Sequence, residues 1–316
     1  MKYIELLKMI NDTKSYFEKE LEDKLNIIKV QSPLFVRSDS GLQDDLTGVE
    51  KGISFIKDNE HFEIVHSLAK WKREALHKYK FNKYTGLYTD MKAIRRDETV
   101  DNIHSLFVEQ WDFEKVIDKK DRNINYLKET VESIYECLKE TDNYISNKYK
   151  LESLCLPKSI TFITSQELED MYPNCNPKER EKLIAQKYKS VFLIGIGDKL
   201  KSGIPHDLRS PDYDDWSLNG DILIYDDVLN NALEITSMGI RVDEKSLIEQ
   251  LKKCDKLNKL DYPYHQKIIN KTLPYTIGGG IGISRVLMLL LKKSHIAQIQ
   301  SSSWDNKTLK YVKNIL

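Results

Sequence analysis

Apolar residues recur at helical spacing over residues 1–25, where Ile4, Leu7, Ile10, Phe17, Leu21 and Leu25 stand among charges, and this predicts an amphipathic helix. Residues 26–36 read as a strand interrupted by Pro33, which a strand edge or bulge tolerates and a central ladder does not. A polar loop over 38–48 carries the adjacent carboxylates Asp44 and Asp45, ordinarily a solvated turn. Residues 53–56 and 62–66 make a hairpin around Asp58-Asn59, and a helix follows to about residue 79 with an apolar stripe of Leu68, Trp71, Ala75, Leu76 and Tyr79. That stripe makes Lys78 to Lys83 a solvated face rather than a nucleic-acid patch and leaves Lys70, Lys72 and Arg73 open. Strands are predicted over 86–94 and 105–116, and Arg95, Glu98, Asp101 and His104 lie between them. In the second of these strands, alternation puts Gln110 and Asp112 on one face, expected to meet solvent.

A long amphipathic helix over 121–149 turns Leu127, Val131, Ile134 and Leu138 inward. A strand at 160–164, a short helix from Ser165, a helix capped by Asn176 with Pro177 at its first position, and a buried strand at 191–197 complete the middle of the chain. Next, Asp207, Asp212, Asp214 and Asp215 crowd around Arg209, before a strand entered at Asn219 and a turn around Asn230. Alternation places Asp221, Leu223 and Tyr225 on one face of that strand, and Glu234, Thr236 and Met238 on one face of the next. A carboxylate inside an apolar strand is costly unless it is paired. Asp221 and Glu234 therefore suit a shared Mg²⁺, which takes few protein carboxylates and completes its shell from phosphate oxygens.

The stretch 272–291 combines Gly278, Gly279, Gly280 and Gly282 with a buried helix whose first turn carries Arg285. A glycine turn opening such a helix suits a phosphate, since free backbone N–H groups and a guanidinium converge there. No Gly-Lys-Ser/Thr closes a P-loop, and Arg285 stands where a dinucleotide fingerprint needs its third glycine.

The chain has 316 residues, with 49 Lys plus Arg against 49 Asp plus Glu, so it lacks the basic excess of a nucleic-acid-coating surface. Its four cysteines are scattered without ligand spacing, as in a reduced, cytoplasmic protein. No apolar run approaches membrane-spanning length. A glutamine-using amidotransferase needs a nucleophilic cysteine, but position 2 is Lys2 and no cysteine lies near a histidine in sequence, which points to free ammonia as nitrogen source.

A helix then a strand with Pro33, a strand with Arg95 and Glu98, an acidic strand with Glu234, and the glycines before Arg285 resemble the signatures of class II aminoacyl-tRNA synthetases. A closer resemblance is to the ammonia-dependent asparagine synthetases built on that fold. It is carried by GLQDDLTGVEKG, FEIVHSLAKWKR, GLYTDMKAIRRDE, VEQWDFE, HDLRSPDYDDWS, LNGDIL, LEITSMGIRVD and TIGGGIGISR. The short link from Trp216 to Asn219, where some members carry an insertion, is one departure.

The resemblance implies an α+β class II synthetase-like catalytic domain over residues 1–316, a mostly antiparallel sheet flanked by helices. It implies ATP-dependent amidation of L-aspartate through a β-aspartyl adenylate, with Mg²⁺, in a cytoplasmic homodimer that binds neither nucleic acid nor membrane. Arg95, Glu98, Ser105, Asp221, Glu234, Gly280, Gly282 and Arg285 would hold the nucleotide, with Arg95 and Arg285 neutralising the reacting phosphate and Glu234 and Asp221 holding the metal. Lys72, Gln110, Asp112, Asp214, Ser237 and Arg241 would hold aspartate, and Asp44 would serve the ammonia step. Two other classes would keep the fold. A tRNA-charging synthetase conflicts with the neutral charge and leaves no room for an anticodon-binding domain. A paralogue that binds or activates an amino acid without making asparagine would have little use for Arg95, Glu234 and Arg285 together.

Overall fold

The computed structural model describes residues 3–46 and 50–316. Met1 and Lys2, and Thr47 and Gly48 at the end of the polar loop, lie outside the described residues. In chain order the elements begin with α1 (Tyr3–Leu25), β1 (Ile27–Lys29), β2 (Phe35–Arg37), β3 (Ser54–Lys57), β4 (Glu60–Ile64), α2 (Ala69–Lys78), β5 (Gly86–Ile94) and β6 (Phe107–Val116). They continue with α3 (Ile124–Tyr149), β7 (Thr161–Thr164), α4 (Ser165–Met171), α5 (Pro177–Tyr188), β8 (Ser190–Ile194), β9 (Asp214–Asp226) and β10 (Asn231–Arg241). The last are α6 (Glu244–Lys253), α7 (Pro263–Ile269), β11 (Thr276–Gly282), α8 (Ile283–Leu290) and α9 (Asn306–Tyr311).

Eight strands form one sheet in the order β1-β5-β6-β11-β10-β9-β8-β7. Its centre is antiparallel, and only the outer pairs β1/β5 and β7/β8 are parallel. The strand expected over 26–36 is broken at its proline: β1 joins the main sheet, while β2 joins the hairpin β3–β4 in a separate three-stranded sheet. The hairpin turns at Asp58 and Asn59, both with positive φ, a conformation these two residue types tolerate well.

One face of the main sheet is buried under α1, α3 and α8, where Phe17, Leu21, Leu127, Val131 and Leu287 meet Trp111, Phe113, Ile222 and Ile277. The N-terminal helix is turned slightly from expectation. Leu6, Met9, Ile10, Phe17 and Leu21 face the core, whereas Ile4 and Leu7 are exposed. The opposite face is covered only at its flanks. Toward one edge, Leu68 of the α2 entry packs with Met91 and Ala93, and Ala75 and Leu76 pack with Leu87 and Val116; toward the other, Leu168 of α4 and Ile184 of α5 pack on Val191, Leu193 and Leu223. Between these flanks β6, β11 and β10 form the floor of a cavity.

The glycine-rich stretch is not a turn. Gly278, Gly279 and Gly280 are interior residues of β11, paired with β6 and β10, and the chain passes directly from Gly282 into α8. The acidic strand also begins earlier than expected, at Asp214.

Candidate active site

The cavity has a volume of about 430 Å³. Asp44, Lys72, Arg95, Glu98, Ser105, Gln110, Asp112, Asp214, Glu234, Ser237, Arg241, Gly280, Gly282 and Arg285 all line it, although they come from eight separate parts of the chain. Of the residues that the resemblance assigns to the site, Asp221 alone does not: Arg209, which does line the cavity, lies across it and grips its carboxylate oxygens with one guanidinium nitrogen.

The floor is polar because strand alternation makes it so. Gln110, Asp112 and Glu114 project from one face of β6, while Trp111 and Phe113 enter the core on the other. The expectation that this polar face meets solvent is overturned, since α2 closes over it and buries Asp112 and Glu114. Lys72, from α2, is itself fully buried, and its ammonium bonds to Asp112 and to the Gly279 carbonyl at 3.2 Å, with Glu114 at 3.9 Å. Lys70 and Arg73 are buried as well, whereas Lys78, Lys80 and Lys83 are exposed as expected.

Arg241 completes this ionic floor. Its Nε and Nη2 donate to Glu114 at 3.0, 3.1 and 2.7 Å, and its Nη1 donates to Asp214. Burial by itself favours the neutral acid in Glu114, but the several Arg241 contacts and the nearby Lys72 outweigh it and hold the carboxyl below its usual range. Asp214 shares the same guanidinium through one bond, and there burial wins and pushes the carboxyl up. Burial likewise pushes the Lys72 ammonium down. The glycines of β11 make room for these side chains. A Cβ on Gly278 would overlap the Glu114 carboxylate and stand 2.6 Å from the Phe113 carbonyl, and one on Gly280 would stand 2.5 Å from the Gln110 amide oxygen.

A β-bulge sets the wall beside this floor. Glu234 pairs with Leu223, yet Thr236 pairs with Ile222 and Ser237 with Asp221, so one residue of β10 is unpaired between them. Simple alternation would put Thr236 and Met238 beside Glu234. The bulge instead sends Met238 and Ile240 into the core and leaves Ser237 and Arg241 lining the cavity with Glu234.

Arg285 stands in the first turn of α8 and reaches back to this bulge. Its Nη1 donates to the Glu234 carbonyl at 2.9 Å and lies 3.5 Å from the Glu234 carboxylate. Its Nη2 lies 3.0 Å from His104 Nε2. A guanidinium only donates, so His104 Nε2 is the acceptor and its proton sits on Nδ1, directed at Asp101 2.9 Å away. Burial would raise the Glu234 carboxyl, but Arg285, Arg209 and Lys178 surround it and bring it below its usual range. Asp221 goes the other way. Burial, with Glu234 and Glu181 nearby, outweighs Arg209 and pushes it up to about 7. Arg95 lines the same end of the cavity, and among the described residues its buried Nε has no partner.

The polar loop is no solvated turn. Asp44 is buried, accepting 2.6 Å and 2.8 Å bonds from the Ser67 hydroxyl and the Leu46 N–H. Asp45 is tied through Lys259 to Asp212, a wholly buried carboxylate that also meets Lys70 at 2.9 Å, His265 at 2.9 Å and the Ser210 hydroxyl at 2.7 Å. The three basic neighbours overcome burial and hold Asp212 well below the usual carboxylate range.

Sequence reasoning missed Glu114, although alternation in VEQWDFE reaches it, and assigned no role to His104, Arg209 or the Asp212 cluster. Lys178, at the start of α5, carried no signal at all.

An eight-stranded, mostly antiparallel sheet with this cavity on one face is the catalytic fold of class II aminoacyl-tRNA synthetases. Asparaginyl-tRNA synthetase from Pyrococcus horikoshii, complexed with asparaginyl-adenylate, superposes with a TM-score of 0.68 at 13% identity over 93% of this chain and 67% of that one. The Entamoeba histolytica asparaginyl-tRNA synthetase gives 0.65 at 15% identity over 94% of this chain and 66% of that one. Within that fold the chain belongs to the aspartate–ammonia ligase family, whose model matches residues 4–316. It is 54% identical over 304 residues to the aspartate–ammonia ligase of Clostridium perfringens strain SM101, covering 95% of this chain and 90% of that protein. Its identity to the Fusobacterium nucleatum aspartate–ammonia ligase is also 54%, over 94% of this chain and 91% of that one.

Proposed function

We propose that the cavity carries out the two half-reactions of an aspartate–ammonia ligase, and that the residues lining it divide the work between them. The chain is an ATP-dependent carbon–nitrogen ligase that makes L-asparagine from L-aspartate and ammonia. The observation that carries the division of labour is the convergence of an ionic floor and a guanidinium-rich end in one cavity.

The floor is the amino-acid end. Burial disfavours charge on both Lys72 and Asp214, so the floor gains by receiving a ligand that brings an ammonium and carboxylates of its own. Arg241 and Lys72 would face the carboxylates, Asp112, Asp214, Gln110 and Ser237 the amine and the remaining polar atoms. The other end is the nucleotide end. Arg95, with its unpartnered Nε, and Arg285, at a helix N-terminus, would receive the phosphates, with Glu98, Ser105, Gly280 and Gly282 around the nucleoside. The β-carboxylate of aspartate then attacks the α-phosphate, pyrophosphate leaves, and the two arginines neutralise the charge that builds on the phosphorus oxygens.

Glu234, which lines the cavity, would be the donor for Mg²⁺, joined by Asp221 only where Arg209 releases its carboxylate. Mg²⁺ takes few protein carboxylates and most of its shell from phosphate and water, and Glu234 stands in the cavity lining beside Arg285. Bound there, Mg²⁺ would add charge neutralisation on the phosphate oxygens. Asp44, held rigidly at the floor's edge, would attract ammonium and accept its proton as nitrogen attacks the activated carbonyl and AMP leaves.

No helix among the described residues is long and apolar enough to cross a membrane. We place the enzyme in the cytoplasm as a homodimer without nucleic acid. The exposed Leu34, Phe35, Phe55 and Ile56 around the small sheet support the dimer. The direct test is product analysis with aspartate, ATP, Mg²⁺ and ammonium: asparagine, AMP and pyrophosphate in equal amounts are expected. Pyrophosphate without asparagine would favour a paralogue that only activates an amino acid.

A further inference from the structure

Arg209 occupies a place that the nucleotide-end reading reserves for a metal. It projects from the segment between β8 and β9, lines the cavity, and donates from Nη2 to both carboxylate oxygens of Asp221. Asp221 is thereby shut off from the cavity, with its side chain only 6% exposed. Glu234 lies close to both groups, and on its other sides stand Arg285 and Lys178. Asp221, Glu234 and Asp207 at this end of the cavity thus each face a side-chain cation: Arg209, Arg285 and Lys178 respectively. No divalent ion can take the Asp221 oxygens unless Arg209 leaves them.

We propose that Arg209 is a built-in stand-in for the divalent cation, released from Asp221 only when a triphosphate offers the guanidinium new acceptors. This inference rests on the metal reading of Asp221 and Glu234. The physical reason is charge balance. A divalent ion arriving alone would displace Arg209 into a cavity end already lined by Arg95, Arg285 and Lys178, where the neighbouring carboxylates Glu234 and Asp207 already face Arg285 and Lys178. A divalent ion arriving with a nucleotide brings a new anion with it, and a guanidinium matches phosphate oxygens as well as it matches a carboxylate. Metal and nucleotide thus enter together. Arg209 is a positioning residue in this role: it acts through Asp221 before the chemistry begins.

The test is Mn²⁺ binding to the full chain without nucleotide, read by electron paramagnetic resonance of the free ion. Arg209→Gln should bind Mn²⁺ alone at least about tenfold more tightly than the parent, a modest share of what an unpaired buried carboxylate costs. Arg209→Lys, which keeps a cation, should stay near the parent. Adding Glu234→Gln to Arg209→Gln should abolish the gain, which separates this site from surface carboxylates. With a non-hydrolysable ATP analogue present, parent and Arg209→Gln should bind Mn²⁺ within about threefold of each other, since the charge-balance difference between them is then removed. Equal Mn²⁺ affinity of parent and Arg209→Gln without nucleotide, in proteins that both melt cooperatively, would overturn the inference and make the Arg209–Asp221 pair a structural clamp. If neither takes up Mn²⁺ even with the analogue, the metal reading itself falls and this inference falls with it.

Discussion

At the scale of single residues, the cavity is built from charges whose partners lie far away in sequence, and each can be tested by one half-reaction. Arg285 holds the Glu234 carbonyl and His104 while lining the cavity. Arg285→Ala should depress aspartate-dependent exchange of pyrophosphate into ATP by about 10²-fold or more, the usual loss for one preorganised charge contact, while circular dichroism stays unchanged. Parent-like exchange would remove Arg285 from the nucleotide site. In the proposed division of labour Asp44 serves the second step. Asp44→Asn keeps an acceptor for the Leu46 N–H and lets its amide N–H donate to the Ser67 hydroxyl oxygen in place of the bond it received, but loses the charge, so exchange should survive while asparagine formation fails. Loss of both would mean that Asp44 positions aspartate instead. Such residues were legible in sequence when a motif carried them, as with Arg95, Glu234 and Arg285. Glu114 was not, because alternation gave its face but not its surroundings. Only the packing of α2 over β6 turns a polar strand face into a buried ionic floor.

At the scale of elements, two local irregularities decide what the site contains. The bulge after Glu234 could not be read from the sequence, because period-two alternation assumes an unbroken ladder. Its effect is to turn Met238 into the core and to bring Ser237 and Arg241 onto the cavity face. The glycines of β11 were legible as special but for the wrong reason: they are a flat stretch of floor, not a turn. Gly278→Ala would drive a methyl group into the Glu114 carboxylate and the Phe113 carbonyl, and neither can retreat, since Glu114 is held by Arg241 and Phe113 by the core. The expected result is a folded enzyme with a several-fold or greater rise in KM for aspartate, because a small misplacement at a binding site can cost up to about 10²-fold. Unchanged kinetics would mean that the floor relaxes freely. Asp212 joins α2, the segment before β9 and the stretch around Lys259 through three basic partners. Asp212→Ala strands the buried Lys70 ammonium in the interior and leaves Lys259 with Asp45 alone, and should cost about 3–5 kcal/mol of stability, a drop in Tm on the order of 10 °C by calorimetry. A variant melting within a degree or two of the parent would show that the cluster is not a structural hub.

At the scale of the whole molecule, the strand order of the sheet and its two outer parallel pairs came from the structure, while the class of fold came from the order of the motifs along the chain. Pro33 shows why the two levels differ. Its effect on a strand was legible, but not that the break sends β1 and β2 into different sheets. That break leaves an aromatic cluster at the surface. Phe35 and Phe55 stand edge-to-face with centroids 5.1 Å apart, Phe62 stacks on Phe55 at 5.3 Å, and Leu34 and Ile56 are half or more exposed beside them. Aromatic and aliphatic side chains gathered on one small sheet lose stability to water and gain it by covering one another in a second copy, and closed twofold pairing is the common way to do so. Sedimentation at micromolar concentration should therefore give twice the 37.0 kDa of one chain. Phe35→Glu together with Phe55→Glu should place like charges across the twofold and shift the mass toward one chain, with the melting of each monomer still cooperative. A parent that sediments as a single chain would refute the dimer. A double variant that remains dimeric would move the interface away from the small sheet.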